Sequence, residues 1–291
     1  MKIDTLVLSG GSTKVPAFIG SFRVLKEYNI LNDNLDGINH IITCSVGMLY
    51  ALLILLKVSD SVIEESIKQF CFSDILNTDN LGIDSLLFEL GLFDNEKVAC
   101  IINTVLREKY SKDSMTMLEL YNLTGIKLTS KVCNHTRACV EYISYENEPE
   151  LSITKLLQMT TAIPLFFKPI KHNNCLYVDG GIAGGFPIEF AGDNYIGIQL
   201  KGPWKTDNEH TIMDDIPLIN YIIRGLAVST IDTSKPDSRN ISLVIDIHFA
   251  NFKLTLDEKI KLIEDGYKLT KEHIEKYNLT NDLFNTESST N

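Results

Sequence analysis

The sequence predicts a three-layer α/β/α domain with a mostly parallel central sheet, and three observations support this. Short β-branched runs alternate with helical patterns, the signature of strands joined by crossover helices. Two strand ends break on small-residue turns that open directly into helices: Ser9-Gly-Gly-Ser-Thr-Lys14 and Thr43-Cys-Ser-Val-Gly47. The 291-residue chain is 44% hydrophobic and 22% charged, enough apolar material for one sizeable core, with no internal repeat or linker. The expected organisation is one domain over residues 1–279 and a disordered Ser/Thr/Asn tail over 280–291.

In chain order, Thr5-Leu-Val-Leu8 reads as a buried strand. Pro16 suits the first turn of a helix that carries Phe18, Phe22 and Leu25 on one face and runs to Tyr28. Gly37 to Thr43 reads as a second strand. Val46 to Lys57 is a helix with so little polar surface that it must be central. Ser59 to Phe72 reads as another helix, and residues 73–124 as helices and loops with apolar patches at 86–88, 98–105 and 117–120. Strands follow at Ile126–Cys133 and Ala138–Tyr145 across a turn at Asn134-His-Thr136. Ile153 to Ala162 is a helix stopped by Pro164. Leu176–Val178 and Tyr195–Leu200 are strands, Ile216–Val228 a helix, Ile241–Phe249 a strand, and Leu256–Tyr277 an amphipathic helix.

The net charge of −11 disfavours nucleic acid as a partner, since phosphate binding draws on Lys/Arg patches. It also disfavours strong attraction to anionic membranes but leaves shallow apolar contact with lipid open, with residues 86–93 and 204–223 as candidates that could equally be core. The six cysteines have neither metal nor redox spacing and read as free, mostly buried thiols of a reducing compartment. The opening MKIDTLVLSGG does not read as a signal peptide, and the apolar run Val46–Leu56 is too short to span a bilayer. A cytoplasmic protein is the expectation, without metal or other cofactor; oligomeric state is not legible.

Three turns could carry chemistry. Ser45 stands at a strand-to-helix corner with Gly47 two residues on, the arrangement of a nucleophile elbow, beside a helix N-terminus that favours negative charge. Gly10 and Gly11 follow the first strand, where adjacent glycines let backbone N–H groups converge on an oxygen. Asp179 ends a strand before Gly180 and Gly181, placed to act as a base. Alone, Ser45 reads first as a buried structural serine and Asp179-Gly180 as a plain turn, while the Gly10-Gly11 turn suits a structural or a functional role equally well.

Their order along the chain resembles the patatin-like phospholipase family. Thr160-Thr-Ala-Ile-Pro-Leu-Phe-Phe-Lys-Pro169 is similar to that family's S-x-A-I-P-x-x-F-x-P segment, and Asp179-Gly-Gly-Ile-Ala-Gly-Gly-Phe-Pro187 to its D-G-G-x-x-x-N-x-P segment. The resemblance covers roughly residues 3–200. Thr255–Tyr277 is also similar to the C-terminal helix of shorter members found in large DNA viruses, where the location would be host cytoplasm. It implies a patatin-like fold, Ser45 as nucleophile and Asp179 as base without histidine. It also implies an oxyanion hole from the backbone at Gly10, Gly11 and Ser12, with Lys14 where the family has arginine. Thr43, Gly47, Gly180 and Gly181 would support the elbow and dyad. Ser12, Val15 and Thr43 replace family glycines; Ser12 could still donate its N–H with a negative φ. The implied substrate is a phospholipid or related lipid ester, reached through peripheral membrane contact. Two rival readings are an α/β-hydrolase triad of Ser45, Asp179 and His248, and a lipid-binding or interaction protein that has lost activity on the same scaffold.

Overall fold

The computed structural model describes residues 3–75, 86, 88–202, 237–247 and 251–279. The tail, the helix expected at 216–228, the apolar candidates at 204–223, and His248 lie outside the described residues.

Ten strands are described: β1 (Thr5–Leu8), β2 (His40–Cys44), β3 (Gly91–Phe93), β4 (Lys127–Asn134), β5 (Cys139–Ile143), β6 (Leu165–Phe167), β7 (Ile170–His172), β8 (Cys175–Asp179), β9 (Tyr195–Lys201) and β10 (Asn240–Val244). The helices are α1 (Pro16–Glu27), α2 (Val46–Leu55), α3 (Asp60–Gln69), α4 (Glu96–Tyr110), α5 (Met117–Thr124), α6 (Ile153–Thr161) and α7 (Leu256–Tyr277). The main sheet has the order β10-β9-β1-β2-β4-β8-β7, and β5 also pairs with β4. From β10 to β4 every neighbour is parallel, while β5, β8 and β7 join antiparallel. The sheet is therefore mixed, its centre parallel as expected, with helices on both sides.

Alternation along the strands divides the core. Leu6, Leu8 and Ile41 join the large cluster containing α1, α2 and α7, whereas Val7 and Ile42 pack with Phe186 and Tyr195. The apolar helix α2 is central, with Tyr50 buried between Phe18 and Phe22 at ring distances of 5.3 and 4.9 Å.

Strand β4 sets up the site. β2 runs parallel to it as far as Cys44 opposite Lys131. β8 runs antiparallel to it and stops at Asp179 opposite Val132. Because β5 pairs across Ser130–Asn134 and overlaps both, it must hold the other edge. β2 and β8 thus share one edge of β4 and meet end to end, so the residue after Cys44 lies beside Asp179.

Some expectations shift. The second strand starts at His40 rather than Gly37, because Gly37 has φ 90° and turns the chain. The last strand ends at Val244 rather than Phe249. β3, β6 and β7 were not expected: three residues each is too short for period-2 alternation to register, and Pro164 and Pro169 flank β6. Of the cysteines, Cys44, Cys133 and Cys175 are buried, but Cys71, Cys100 and Cys139 are exposed, so the thiols are not mostly buried. The apolar stretch near 86–93 divides, with Phe88 80% and Leu90 49% exposed and Phe93 in the core. No described helix is long and apolar enough to cross a membrane.

Helix α7 opens on a capping box made by Thr255 and Glu258 and lies against α1 backbone to backbone. A Cβ at Gly266 would stand 2.1 Å from Ala17 O, and one at Gly20 would stand 2.0 Å from Ile263 O. Thr270 Oγ1 donates to Ser21 Oγ across this seam at 2.8 Å. Buried Lys259 donates to Lys68 O and Phe70 O at 2.9 and 2.7 Å, satisfying carbonyls at the end of α3. Gly266→Ala should lower the unfolding free energy by about 1–3 kcal/mol, seen as a lower urea midpoint. Gly192→Ala, where a Cβ meets nothing within 4 Å, should leave that midpoint in place.

Candidate active site

Ser45 occupies the N-cap position of α2 but does not cap it. An N-cap serine ordinarily accepts an N–H of the first turn, worth about 1 kcal/mol. Here the hydroxyl instead donates to Asp179 Oδ2 at 2.6 Å. Its backbone, φ 51° and ψ −129°, lies where a side chain costs on the order of 1–3 kcal/mol. Gly47 makes the turn possible, since a Cβ there would stand 2.6 Å from both Leu8 O and Ser9 O. The Ser45 N–H donates to Thr160 Oγ1 at 2.8 Å, and that hydroxyl donates to Lys131 O at 2.8 Å. Thr43 directs its hydroxyl to Thr129 O on β4 at 3.2 Å, so its branched side chain is accommodated against the neighbouring strand.

Asp179 is 4% exposed and accepts from Gly181 N at 2.7 Å through Oδ1. Burial pushes its carboxyl up to about 6, against the pull of the hydrogen bonds from Ser45 and Gly181. Gly180 must be glycine for packing, because a Cβ would stand 2.4 Å from Lys131 O. Cys44, whose Sγ is 4.0 Å from Asp179 Oδ1, is held neutral: burial and the nearby Asp179 charge push its thiol well above the usual range. A triad would put an imidazole between hydroxyl and carboxylate; the direct contact between Ser45 and Asp179 occupies that space.

The glycine turn differs from expectation at two residues. Gly10 N donates to Gly185 O at 2.8 Å, so this amide is already used, which corrects its reading as an oxyanion donor. What Gly10 contributes is proximity, a Cβ there reaching 3.1 Å from Ser45 Cβ. Ser12 has φ 52°, not the negative φ under which its N–H was expected to donate. All the same, its amide and that of Gly11 have no acceptor among the described residues. Gly11 packs on Leu200 of β9, where a Cβ would stand 2.5 Å from Cδ1. Lys14 is 3% exposed with no ion-pair partner among the described residues, and burial lowers its ammonium to about 8.

Sequence reasoning passed over Lys131. Its Nζ is buried and donates to Ala183 O and Gly184 O, both at 2.9 Å, and to Glu189 Oε1 at 2.5 Å. Glu189 also accepts from Tyr142 OH. Lys131 thereby fixes the loop that follows Asp179. A cation in the middle of an otherwise buried strand was the signal that could have revealed it.

A family model described as patatin-like phospholipase matches residues 6–191. A protein of Invertebrate iridescent virus 6, called a probable lipid hydrolase, is 30% identical over 187 residues, which are 64% of this chain and 62% of that one. The chain thus spans less than two thirds of that relative. The uncharacterized protein R571 of Acanthamoeba polyphaga mimivirus is 25% identical over 290 residues, covering 94% of this chain and 95% of its own. The crystal structure of VipD from Legionella pneumophila superposes with a TM-score of 0.65 at 16% identity, over 95% of this chain and 67% of that one.

The raised Asp179 carboxyl has a consequence for stability. With its pKa raised from 3.8 to about 6, folding carries no ionisation penalty below pH 3.8, and stability is lost as pH rises through 6. Asp179→Asn should therefore be more stable than wild type at pH 8 by up to about 3 kcal/mol, converging on wild type at pH 4. Urea unfolding at the two pH values reads the difference.

Proposed function

Since the chain belongs to the patatin-like phospholipase family, we propose that it is a serine acyl hydrolase of phospholipids or related lipid esters, working through Ser45 and Asp179. The observation that carries this reading is the 2.6 Å hydrogen bond from the Ser45 hydroxyl to the Asp179 carboxylate. That distance is within reach for general-base catalysis.

Ser45 Oγ attacks the ester carbonyl carbon while its proton passes to Asp179 Oδ2. The carbonyl oxygen becomes an oxyanion facing the Gly11 and Ser12 amides, each worth on the order of 3 kcal/mol to such an intermediate. The tetrahedral intermediate collapses, the carbon–oxygen bond to the alcohol breaks, and Asp179 returns the proton to the leaving oxygen. Water then attacks the acyl carbon and gives its proton to Asp179; the bond to Ser45 Oγ breaks, Asp179 returns the proton to Oγ, and fatty acid leaves. A carboxyl near 6 is a stronger base than an ordinary aspartate, yet is still about nine-tenths ionised at pH 7. Substrate would come from a lipid surface by peripheral contact.

The test is fatty-acid release from defined phospholipids. Wild type should release it, and Ser45→Ala and Asp179→Asn should lose at least about a thousandfold while remaining folded. A Ser45→Ala protein as active as wild type would discard the mechanism. Failure of wild type to hydrolyse lipid or to react with a fluorophosphonate would instead favour a lipid-binding protein on this scaffold. The profile of kcat/KM should rise from acid pH with a midpoint near 6, because the base must be ionised to accept the proton.

A further inference from the structure

The Thr160–Pro169 stretch begins within the last turn of α6, against the Ser45 elbow. Thr160 and Ala162 at its start each bond one member of the reacting pair. Thr160 Oγ1 accepts the Ser45 N–H at 2.8 Å, and Ala162 O accepts the Asp179 N–H at 2.9 Å. We propose that the end of α6, Thr160-Thr-Ala162, is the jig that holds nucleophile and base at their working separation, with Thr160 the positioning residue for Ser45. The inference rests on reading Ser45 and Asp179 as the reacting pair.

The polarity of the Thr160 hydroxyl is fixed. Its single proton goes to Lys131 O, leaving only lone pairs to face the Ser45 amide. A hydroxyl is the smallest side chain that can donate to a carbonyl and accept an amide through one atom. Thr160 is fully buried, so removing its oxygen strands a buried N–H. That N–H belongs to the residue with φ 51° and ψ −129°, where the backbone has most to gain by relaxing and where a small rotation swings Oγ away from Asp179. α6 is itself pinned: buried Asn95 donates to Gln158 O at 2.7 Å and to Thr161 Oγ1 at 3.2 Å. Nucleophile and base, 134 positions apart, thus hang from two residues, Thr160 and Ala162, of one anchored segment.

The test compares wild type, Thr160→Ser and Thr160→Val by fatty-acid release, by the rate of fluorophosphonate labelling, and by exchange of the Ser45 amide in NMR. Valine keeps the volume and loses the acceptor; serine keeps the hydroxyl. Thr160→Val should lower kcat and the labelling rate roughly a hundredfold with KM nearly unchanged, as expected when a reacting atom is displaced. Its Ser45 amide should lose protection, while Thr160→Ser stays near wild type in every readout. If the valine protein does not fold, Thr160→Ala takes its place. Wild-type kinetics and a protected Ser45 amide in Thr160→Val would overturn the proposal, as would equal losses in the serine and valine proteins. If wild type itself neither hydrolyses nor labels, the catalytic reading fails, and amide exchange alone decides whether Thr160 holds Ser45.

Discussion

The structure turns on a single hydrogen bond between residues 134 positions apart, Ser45 Oγ to Asp179 Oδ2. Neither residue is brought there by a flexible loop. β2 enters parallel to β4 and β8 enters antiparallel, and both stop at consecutive positions on the same edge, opposite Lys131 and Val132. The pairing register of two strands on a third therefore sets the distance. A slip of one residue in either strand would turn Ser45 or Asp179 to the opposite face. The antiparallel entry of β8 into an otherwise parallel centre is thus a requirement of the site.

Holding this bond in the interior has costs that the surroundings offset. The carboxylate loses its water, and among the described residues the Ser45 hydroxyl and the Gly181 amide, with the Cys44 thiol at 4.0 Å, replace it. The elbow is strained at Ser45, and Ser12 adds a second left-handed residue in the facing turn. Against this stand dense local bonds: Thr160 on the Ser45 amide, Gly185 O on the Gly10 amide, and Lys131 across Ala183, Gly184 and Glu189. The C-terminal part of the chain contributes as well. Leu200 on β9 donates its N–H to Ser9 Oγ at 2.8 Å and backs Gly11 with its side chain. Residues 195–201 lie beyond the 6–191 family match yet brace the turn that carries the free amides.

What could be read from the sequence follows from which signals are local. Leu256–Tyr277 was legible because its amphipathic period runs over 22 residues, long enough for the 3.6-residue repeat to register. α2 was legible because a nearly all-apolar decamer can only be central. β3, β6 and β7 were not, since three residues carry no period. In the site, Ser45 and Asp179 were readable from the glycines that crowd them. The commitment of the Gly10 amide was not, because its acceptor, Gly185, is 175 positions away. Lys131 was passed over for a related reason: its acceptors are mostly backbone carbonyls of a distant loop, and main-chain partners leave no mark in composition.

Why a carboxylate could serve here without an imidazole follows from the same burial. An exposed aspartate is ionised at neutral pH but holds a proton weakly, so it would return the serine proton at once. Desolvation raises its affinity for a proton to about 6 without carrying it past the working pH. An imidazole has that basicity unburied, but must be oriented by a third group and needs space between hydroxyl and acid. At a corner where Gly47, Gly10 and Gly180 are glycine because backbone or side-chain atoms already fill the room, there is space for direct contact and little else. Tight packing that excludes an intervening ring is also what dehydrates the carboxylate. Closeness and basicity are two consequences of one geometric constraint.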